Sequence, residues 1–308
     1  MKTDNVSSIV LQHLEKKGYH ARIISAEHIS ELQQEIETQY RRGLFDTDFY
    51  SEELTGFDFE ILKRFAGAKS LIVAAATQPQ KRVTFRRPGN SYSFVVPPTY
   101  SYETDRQIYR LLEQQIISKG YQITKVHLPL KLLAVRCGLA MYGKNNITYI
   151  EGLGSFYRLA AFISDLPYLH DSWQEHVIME PCNDCSACRK ACPTDAIDTD
   201  RFLLHGERCL TFYNERRGTF PVWIRPSWHN SLVGCMYCQK ACPMNRDMKR
   251  HFEEGPIFFE DETDCILRGT PENRMTKGTI EKLKQLDVLE YKEVLGRNLE
   301  VLLRNQNY

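Results

Sequence analysis

The feature that most constrains this chain is the crowding of its cysteines into one short segment. Eight of the ten cysteines in the sequence lie between Cys182 and Cys242. The N-terminal residues include neither the apolar stretch nor the small-residue cleavage site that directs secretion, so we expect a cytoplasmic protein with reduced thiols. Clustered cysteines in that compartment indicate metal binding rather than disulfides, and the metal must organise a segment with so little apolar core.

The first cysteine motif reads Cys182-x2-Cys185-x2-Cys188-x3-Cys192 and is followed by Pro193. This spacing is typical of bacterial ferredoxins with two clusters, in which the fourth cysteine of the run binds the other cluster. The first three thiolates are therefore predicted to bind one [4Fe-4S] cluster, while Cys192 reaches a second one.

The second motif, Cys235-x2-Cys238-x3-Cys242-Pro243, is one cysteine short of the full run, and Cys209 upstream can supply the missing ligand. With Cys209 included, the segment supplies eight thiolates, four for each of two clusters. We assign cluster 1 to Cys182, Cys185, Cys188 and Cys242, and cluster 2 to Cys192, Cys209, Cys235 and Cys238. The exchange of Cys192 and Cys242 between motifs holds the clusters close together, as an electron relay requires.

Zinc is the alternative metal, because pairs of Cys-x2-Cys also form four-cysteine zinc sites. Zinc gives no reason for a run of four cysteines that ends in Cys-Pro, nor for eight thiolates in two crossed sets. Cys137 and Cys265 lie outside both sets. Unpaired cysteines are most often small buried apolar residues, so neither is assigned a role.

The remaining sequence predicts an α+β protein. Helical periodicity is visible at 4–17, 26–42, 103–119 and 129–136, and strand-like runs at 19–25, 70–76, 121–127 and 156–164. A Pro-Gly-Asn sequence within 82–96 predicts a hairpin. We expect an α/β domain over 1–172, a cluster domain over 173–252, and a leucine-rich helical tail over 253–308.

Charge and hydropathy argue against two classes of partner, although a local basic patch is compatible with a balanced total charge. Lysine and arginine (40) nearly balance aspartate and glutamate (39), so the chain lacks the broad basic field of polyanion-binding proteins. No apolar run approaches the ~18 residues that a membrane-spanning helix needs. The sequence thus argues against a membrane protein and offers no general surface for tRNA.

Several segments resemble epoxyqueuosine reductases. The cysteine region carries part of the resemblance, and Arg136-Cys137-Gly138-Leu139, followed by Tyr142-Gly143-Lys144-Asn145-Asn146, carries another part. Gly67-Ala68-Lys69-Ser70, Gly154-Ser155-Phe156 and Ser164-Asp165-Leu166-Pro167 are also similar to that family. The resemblance extends over most of residues 30–250, and the reductive dehalogenases share its overall plan.

The resemblance implies a nitroreductase-like N-terminal domain that binds cobalamin and a two-cluster ferredoxin-like domain that supplies electrons to it. The residues expected near the corrinoid are Gly138, Tyr142, Gly143, Lys144, Asn145 and Asn146. The Asp-x-His-x-x-Gly signature of other corrinoid domains is absent from the sequence, so cobalt ligated by a histidine of that type is not expected. Asn145 and Asn146 are also typical turn residues.

Two residues are candidate proton donors. Epoxyqueuosine reductases carry an aspartate for this purpose, but the corresponding stretch here, Lys125-Val126-His127-Leu128-Pro129, has none. His127 occupies about its position and is a candidate general acid; alternatively it ends a strand with an ordinary hydrogen bond. Tyr142 is the other candidate, with Lys144 nearby to lower its pKa; alternatively its ring is half-buried in a turn.

Two functions are compatible with these features. The first is a cobalamin-dependent reductase that takes electrons from a low-potential donor such as a ferredoxin or flavodoxin and reduces a small or nucleoside-like substrate. The second is an electron-transfer protein that reduces the corrinoid of another protein and has no substrate of its own. The missing aspartate, the balanced charge and the lack of C-terminal helical repeats argue against epoxyqueuosine-tRNA as the substrate.

Overall fold

The computed structural model describes residues 4–100 and 102–306. Its strands are β1 (Tyr19–Ser25), β2 (Ser70–Thr77), β3 (Gln80–Arg87), β4 (Asn90–Val96), β5 (Ile123–Lys125), β6 (Met141–Tyr142), β7 (Thr148–Tyr149), β8 (Tyr157–Ser164) and β9 (Phe252–Phe258). Its α-helices are α1 (Asp4–Lys16), α2 (Ile29–Arg41), α3 (Thr47–Phe49), α4 (Ile61–Arg64), α5 (Tyr102–Ile117), α6 (Leu130–Arg136), α7 (Ala187–Ala191), α8 (Leu210–Glu215), α9 (Tyr237–Ala241), α10 (Glu260–Leu267), α11 (Lys277–Gln285) and α12 (Lys292–Asn305). Within these ranges, no helix combines the length and the apolar character needed to cross a membrane.

The chain folds as two compact units. One consists of Met1–Thr77 and Tyr102–Cys185, and the other of Gln78–Ser101 and Ser186–Tyr308. The second unit therefore includes the β3–β4 hairpin, which lies inside the N-terminal segment of the sequence. The hairpin belongs there because β3 also pairs with β9 from the C-terminal part of the chain.

The N-terminal unit is built on a four-stranded antiparallel sheet in the order β1-β2-β8-β5. The run Ser-Leu-Ile-Val-Ala-Ala-Ala of β2 is buried along its whole length, because strands cover both of its edges and the small alanines allow close packing. Helices α1 and α5 cover one face. Their core residues are Val10, Leu14, Ile108, Leu112 and Ile116, which pack with Ile72 and Phe162 of the sheet.

The second unit contains a three-stranded sheet in the order β4-β3-β9, and the C-terminal helices pack with it. Its apolar core includes Val83, Phe85, Phe258, Ile266, Leu286, Leu295 and Leu299. The predicted helical tail is present, but it begins with a strand, β9, that the sequence did not predict. Strand β9 runs parallel to β3 and contains Gly255 and Pro256, residues that are rare inside strands.

Candidate metal centre

The two cysteine motifs have the same backbone conformation. Each forms a five-residue helix, α7 or α9, whose C-cap residue is the last cysteine of its motif. Cys192 and Cys242 leave these helices in extended conformations, with ψ angles of 112° and 125°. The following proline explains this, because it excludes helical geometry from the residue before it. The duplication in the sequence is thus also a duplication in the structure.

The thiols of the second motif lie beside cysteines from elsewhere in the chain. Burial raises the pKa of the Cys235 thiol to about 11, and the nearby charges of Cys209 and Cys192 act in the same direction. Burial also raises the pKa of the Cys238 thiol. The nearby charges of four cysteines raise it further: Cys235, Cys209, Cys192 and Cys188. Thiolates this close repel one another, so bound positive charge would stabilise the group strongly.

The other cysteines differ in setting. Cys182 ends a short 3₁₀ helix, and its carbonyl accepts a hydrogen bond of 3.2 Å from the Cys185 amide. Cys137 is fully buried; its thiol donates to the Ala134 carbonyl, and burial raises its pKa to about 12. Cys265 is half-buried on α10. Among the described residues, no group of three or more His, Cys, Asp or Glu side chains is arranged to hold a single metal ion.

Residues 141–149 form a small hairpin, β6–β7, in the N-terminal unit, which we call the turn hairpin. Its loop is closed by a hydrogen bond of 2.8 Å from the Gly143 amide to the Ile147 carbonyl. The Asn145 side chain donates to the Tyr149 hydroxyl (2.9 Å) and accepts from the Ile147 amide (3.2 Å). A Cβ at Gly143 would lie 2.7 Å from the Tyr149 ring, so only glycine fits. Gly143 and Asn145 therefore shape the loop, and their predicted role in binding a cofactor stays a prediction.

The other predicted cofactor residues lie in or near this hairpin. Asn146 adopts a positive φ of 54°, a conformation that asparagine tolerates well. The Lys144 ammonium donates to the Asn183 carbonyl at 2.8 Å. Gly138 has a φ of 68° after the end of α6, where a Cβ would make only ordinary contacts of 3.7 Å. Sequence reasoning missed Met141, an apolar side chain that is 39% exposed on the hairpin.

Tyr142 is buried, so the alternative of a half-buried ring is wrong. Burial raises the pKa of its hydroxyl, and the nearby Glu35 and Tyr157 raise it further. Its ring meets the His176 ring edge-on, with centroids 6.5 Å apart. Its amide donates to the Val177 carbonyl at 2.8 Å, and its carbonyl accepts from Met179 at 2.9 Å. The hydroxyl therefore holds its proton throughout the physiological range.

A cluster of charged and aromatic side chains ties α2 and α6 to the segment that follows β8. The buried Arg136 pairs with Glu175 at 2.8 Å and Glu31 at 3.3 Å, and it stacks over Trp173. The Trp173 indole donates to Glu31 and lies flat against the His28 ring, with centroids 4.1 Å apart. Burial opposes ionisation of Glu31, but hydrogen bonds from His28 and Trp173 leave its pKa lowered. This cluster fixes the segment that leads into the first cysteine motif.

His127 lies two residues after the end of β5, and its side chain is exposed. Its ring contacts the Phe57 ring, with centroids 5.2 Å apart, and its carbonyl accepts from the Asp58 amide at 2.8 Å. The role of His127 as a proton donor stays a prediction.

The comparison with protein families finds one match in the cysteine region. Residues 181–245 match the family described as "4Fe-4S double cluster binding domain". This range contains the seven cysteines of the two motifs and also Cys209, and it supports the prediction of two [4Fe-4S] clusters. The zinc alternative has no such support.

The chain is also similar to epoxyqueuosine reductases, as the sequence motifs predicted. It is 34% identical over 158 residues to the enzyme of Cyclobacterium marinum, a match that covers 51% of this chain and 48% of that one. The chain spans about half the length of the curated relatives it matches.

Solved structures of epoxyqueuosine reductases share the fold. The structure from Streptococcus thermophilus has a TM-score of 0.69 at 20% identity, covering 99% of this chain and 82% of that chain. A second, solved with an epoxyqueuosine-modified tRNA-Tyr stem loop, has a TM-score of 0.65 at 21% identity and covers 98% and 82% of the two chains. The predicted α+β architecture with a cluster domain is confirmed.

Proposed function

We propose that this protein is an iron–sulfur oxidoreductase that passes electrons through two [4Fe-4S] clusters to a bound corrinoid. The single observation that carries the proposal is the match of residues 181–245, which contain eight cysteines, to a double-cluster domain. The charges of Cys192 and Cys209 also reach Cys235 and Cys238, as ligands of a shared cluster require. Four cysteines from three places in the sequence thus lie near enough for their charges to act on one another, which suits ligands of one cluster. Each cubane takes four thiolates, so eight thiolates suit two.

The cluster assignment made from the motif spacing is retained in this proposal. Cys192, Cys209, Cys235 and Cys238 would bind cluster 2, and Cys182, Cys185, Cys188 and Cys242 would bind cluster 1. Because Cys192 is the last cysteine of the motif whose first three cysteines would bind cluster 1, the two clusters would share a continuous backbone. This connection supports electron transfer between them.

The accessible side chains of the turn hairpin fit a corrinoid. The Asn145 side chain already makes hydrogen bonds within the loop. The contacts with a corrinoid would therefore come from the side chains of Met141, Ile147 and Lys144, which are at least partly accessible. Two apolar side chains suit the face of a corrin ring, and an ammonium suits the polar amides at its rim. When bound, cobalamin would supply a cobalt centre that accepts electrons from the clusters.

Tyr142 is the residue of this unit best suited to hold a proton for the reaction. Burial keeps its hydroxyl neutral, and the neighbouring Glu35 makes loss of the proton still less favourable. The pKa of Glu35 is itself raised by burial, although Arg136 and His176 oppose the shift. A tyrosine in this setting keeps its proton at neutral pH and would donate it only to a strongly basic anion or a radical formed on the substrate. His127 is the second candidate.

Corrinoid binding gives the first prediction. The anaerobically purified protein should bind cobalamin in a one-to-one ratio, and chemically reduced clusters should then reduce the bound cobalt. Met141→Glu should weaken binding, because it places a charge in the apolar contact. Leu62→Glu is the matched control, since Leu62 is similarly exposed (37%) on α4 of the same unit. Optical titration measures both steps.

The outcomes of this titration separate the two candidate functions. Intact clusters with no cobalamin bound, even at large excess, would contradict the corrinoid proposal and favour an electron-transfer protein that acts on the corrinoid of a partner. Equal weakening by both substitutions would place the binding surface elsewhere in the unit.

We further propose that epoxyqueuosine-tRNA is not the substrate. The stretch from Lys125 to Pro129 contains no aspartate, and general acid catalysis commonly contributes about 10²–10⁴-fold in rate. The net charge of +1 gives no general attraction for phosphates. A small molecule, reduced with electrons from a ferredoxin or flavodoxin, is the proposed alternative substrate.

The substrate proposal gives the second prediction. A bacterial strain that lacks its own epoxyqueuosine reductase, when it expresses this protein, should continue to accumulate epoxyqueuosine in its tRNA. Nucleoside analysis by mass spectrometry measures the ratio of queuosine to epoxyqueuosine, and a strain carrying the native enzyme is the positive control. Full restoration of queuosine would contradict the proposal and show that His127 or Tyr142 replaces the aspartate.

A further inference from the structure

We propose that Asn230 and Thr194 set the reduction potential of the cluster bound by Cys192, Cys209, Cys235 and Cys238. Both side chains contact sulfur atoms of this set. The inference rests on the proposed function, because it requires that these cysteines hold an iron–sulfur cluster. It adds a role for two residues that are not themselves ligands.

The orientation of the Asn230 amide is fixed by its neighbours. Its Oδ1 atom accepts a hydrogen bond of 2.9 Å from the Met236 backbone amide. A backbone N–H can only donate, so this atom must be the oxygen, and the nitrogen must occupy the other position. That nitrogen, Nδ2, lies 3.3 Å from Cys235 Sγ and 3.3 Å from the Trp228 carbonyl. The amide therefore directs one N–H to a carbonyl and the other to the sulfur.

Thr194 makes an independent contact with a second cysteine of the same set. Its Oγ1 atom lies 3.4 Å from Cys192 Sγ. A cysteine that ligates iron is a thiolate and has no proton to give, so the hydroxyl must donate. Two donors from different segments therefore reach two of the four sulfurs.

Hydrogen bonds of this kind change the reduction potential because reduction adds negative charge to the cluster. Part of that charge resides on the cysteine sulfurs, where an N–H or O–H dipole stabilises it more strongly than in the oxidised state. The effect grows where burial lowers the dielectric constant, and the half-buried Cys235 lies next to the fully buried Met236. Both contacts should therefore make the cluster easier to reduce.

The residues around Asn230 hold its side-chain amide in this orientation. The flanking residues His229 and Ser231 are buried, and the Leu232 amide donates to the Val95 carbonyl at 2.9 Å. The segment is thereby fixed on both sides of the asparagine. A side chain held in one orientation offers a constant dipole to the sulfur, as a tuned redox centre requires.

The test is a potentiometric titration of the full chain, purified anaerobically and followed by electron paramagnetic resonance. Asn230→Asp keeps an oxygen for the Met236 amide but removes the donor, and Asn230→Leu removes both interactions. Thr194→Val removes the hydroxyl at nearly constant shape. Each substitution should make the midpoint potential of cluster 2 more negative and leave the midpoint potential of cluster 1 unchanged. A tenfold loss in the equilibrium constant for reduction equals about 59 mV for one electron.

Ser231→Ala is the matched control. Ser231 is buried next to Asn230, and its hydroxyl has no hydrogen-bond partner in the part of the chain that the structure describes. Its removal should leave both midpoints unchanged. A shift of the same size in this variant would attribute the effect to general disturbance and overturn the inference.

Iron content separates failure of the inference from failure of the proposed function. If the unaltered protein binds no iron, the proposed function is wrong. If it binds two clusters and the variants retain their iron with unchanged midpoints, the inference is wrong. If the Asn230 variants lose iron, Thr194→Val decides: a shifted midpoint supports the inference and an unshifted one overturns it.

Discussion

Replacing Cys209 with serine is expected to remove about half of the iron from the anaerobically purified protein, about four of eight atoms. Cys209 lies outside both motifs, yet its charge acts on both Cys235 and Cys238. Without it, cluster 2 would keep only three thiolates, while all four ligands of cluster 1 remain. Iron and sulfide analysis measures the loss, and the spectrum of the surviving cluster shows whether it is intact.

The assignment of Cys192, from the first motif, to cluster 2 provides a second test. Cys192→Ser should cause the same loss as Cys235→Ser, although Cys192 belongs to the first motif. Cys137→Ser, at a buried residue outside both sets, is the control and should leave the iron content unchanged. Retention of all iron in Cys209→Ser would contradict the assignment, and stoichiometric zinc without iron in the unaltered protein would contradict both clusters.

The sequence predicted the N-terminal sheet well because its strands carry strong local patterns. The prediction for 19–25 coincides with β1, and that for 70–76 falls one residue short of β2. The predicted strand at 121–127 is too long, since only Ile123–Lys125 pairs with β8. A short edge strand is determined by its neighbour in space, and the residues on either side of it give no local sign of where pairing ends.

Strand β9 was missed for a related reason. Its residues Glu253, Glu254, Gly255 and Pro256 have low strand propensity, and most of the strand is accessible to solvent. It forms because the parallel pairing with β3 supplies the backbone hydrogen bonds and Phe258 enters the core, where its ring stacks on Phe85. Neither interaction is visible in a local window of sequence.

The candidate site also has features that the sequence predicts and features that only the structure shows. The cysteine ligands could be predicted because a cubane imposes fixed spacings on the chain that binds it. The cluster around Arg136 could not be predicted, because His28 and Trp173 stack across a long separation in sequence. The contact between Asn230 and Cys235 is local, but only the orientation of the amide in three dimensions gives it meaning.

Gly296→Ala is expected to destabilise the second unit, although alanine normally favours a helix over glycine by about 1 kcal/mol. Gly296 lies in α12, where a Cβ would be 2.5 Å from the Ile266 carbonyl oxygen and 3.0 Å from that of Leu267. Backbone atoms cannot move aside as a flexible side chain can, so α12 must shift away from α10. Overpacking of this kind commonly costs about 1–3 kcal/mol, which outweighs the gain in helix propensity.

The displacement should also affect cluster 2, because α12 holds the segment between two of its proposed ligands. The Asn298 amide donates to the Asn214 carbonyl at 2.7 Å and to the Leu232 carbonyl at 3.0 Å, and both acceptors lie between Cys209 and Cys235. We therefore expect Gly296→Ala to lower the midpoint of urea-induced unfolding and to speed the loss of iron to a chelator.

Gly278→Ala is the matched control for this variant. Gly278 lies in α11 of the same unit, and a Cβ there would make only ordinary contacts, 3.9 Å from the Thr276 hydroxyl and 4.0 Å from the Glu262 carboxylate. The substitution should therefore leave iron retention unchanged and raise stability by up to about 1 kcal/mol. Opposite signs for the two glycines are the expected result, measured by anaerobic urea titration. An equal change in stability for the two variants would mean that α12 accommodates the added methyl group without losing its contacts with α10.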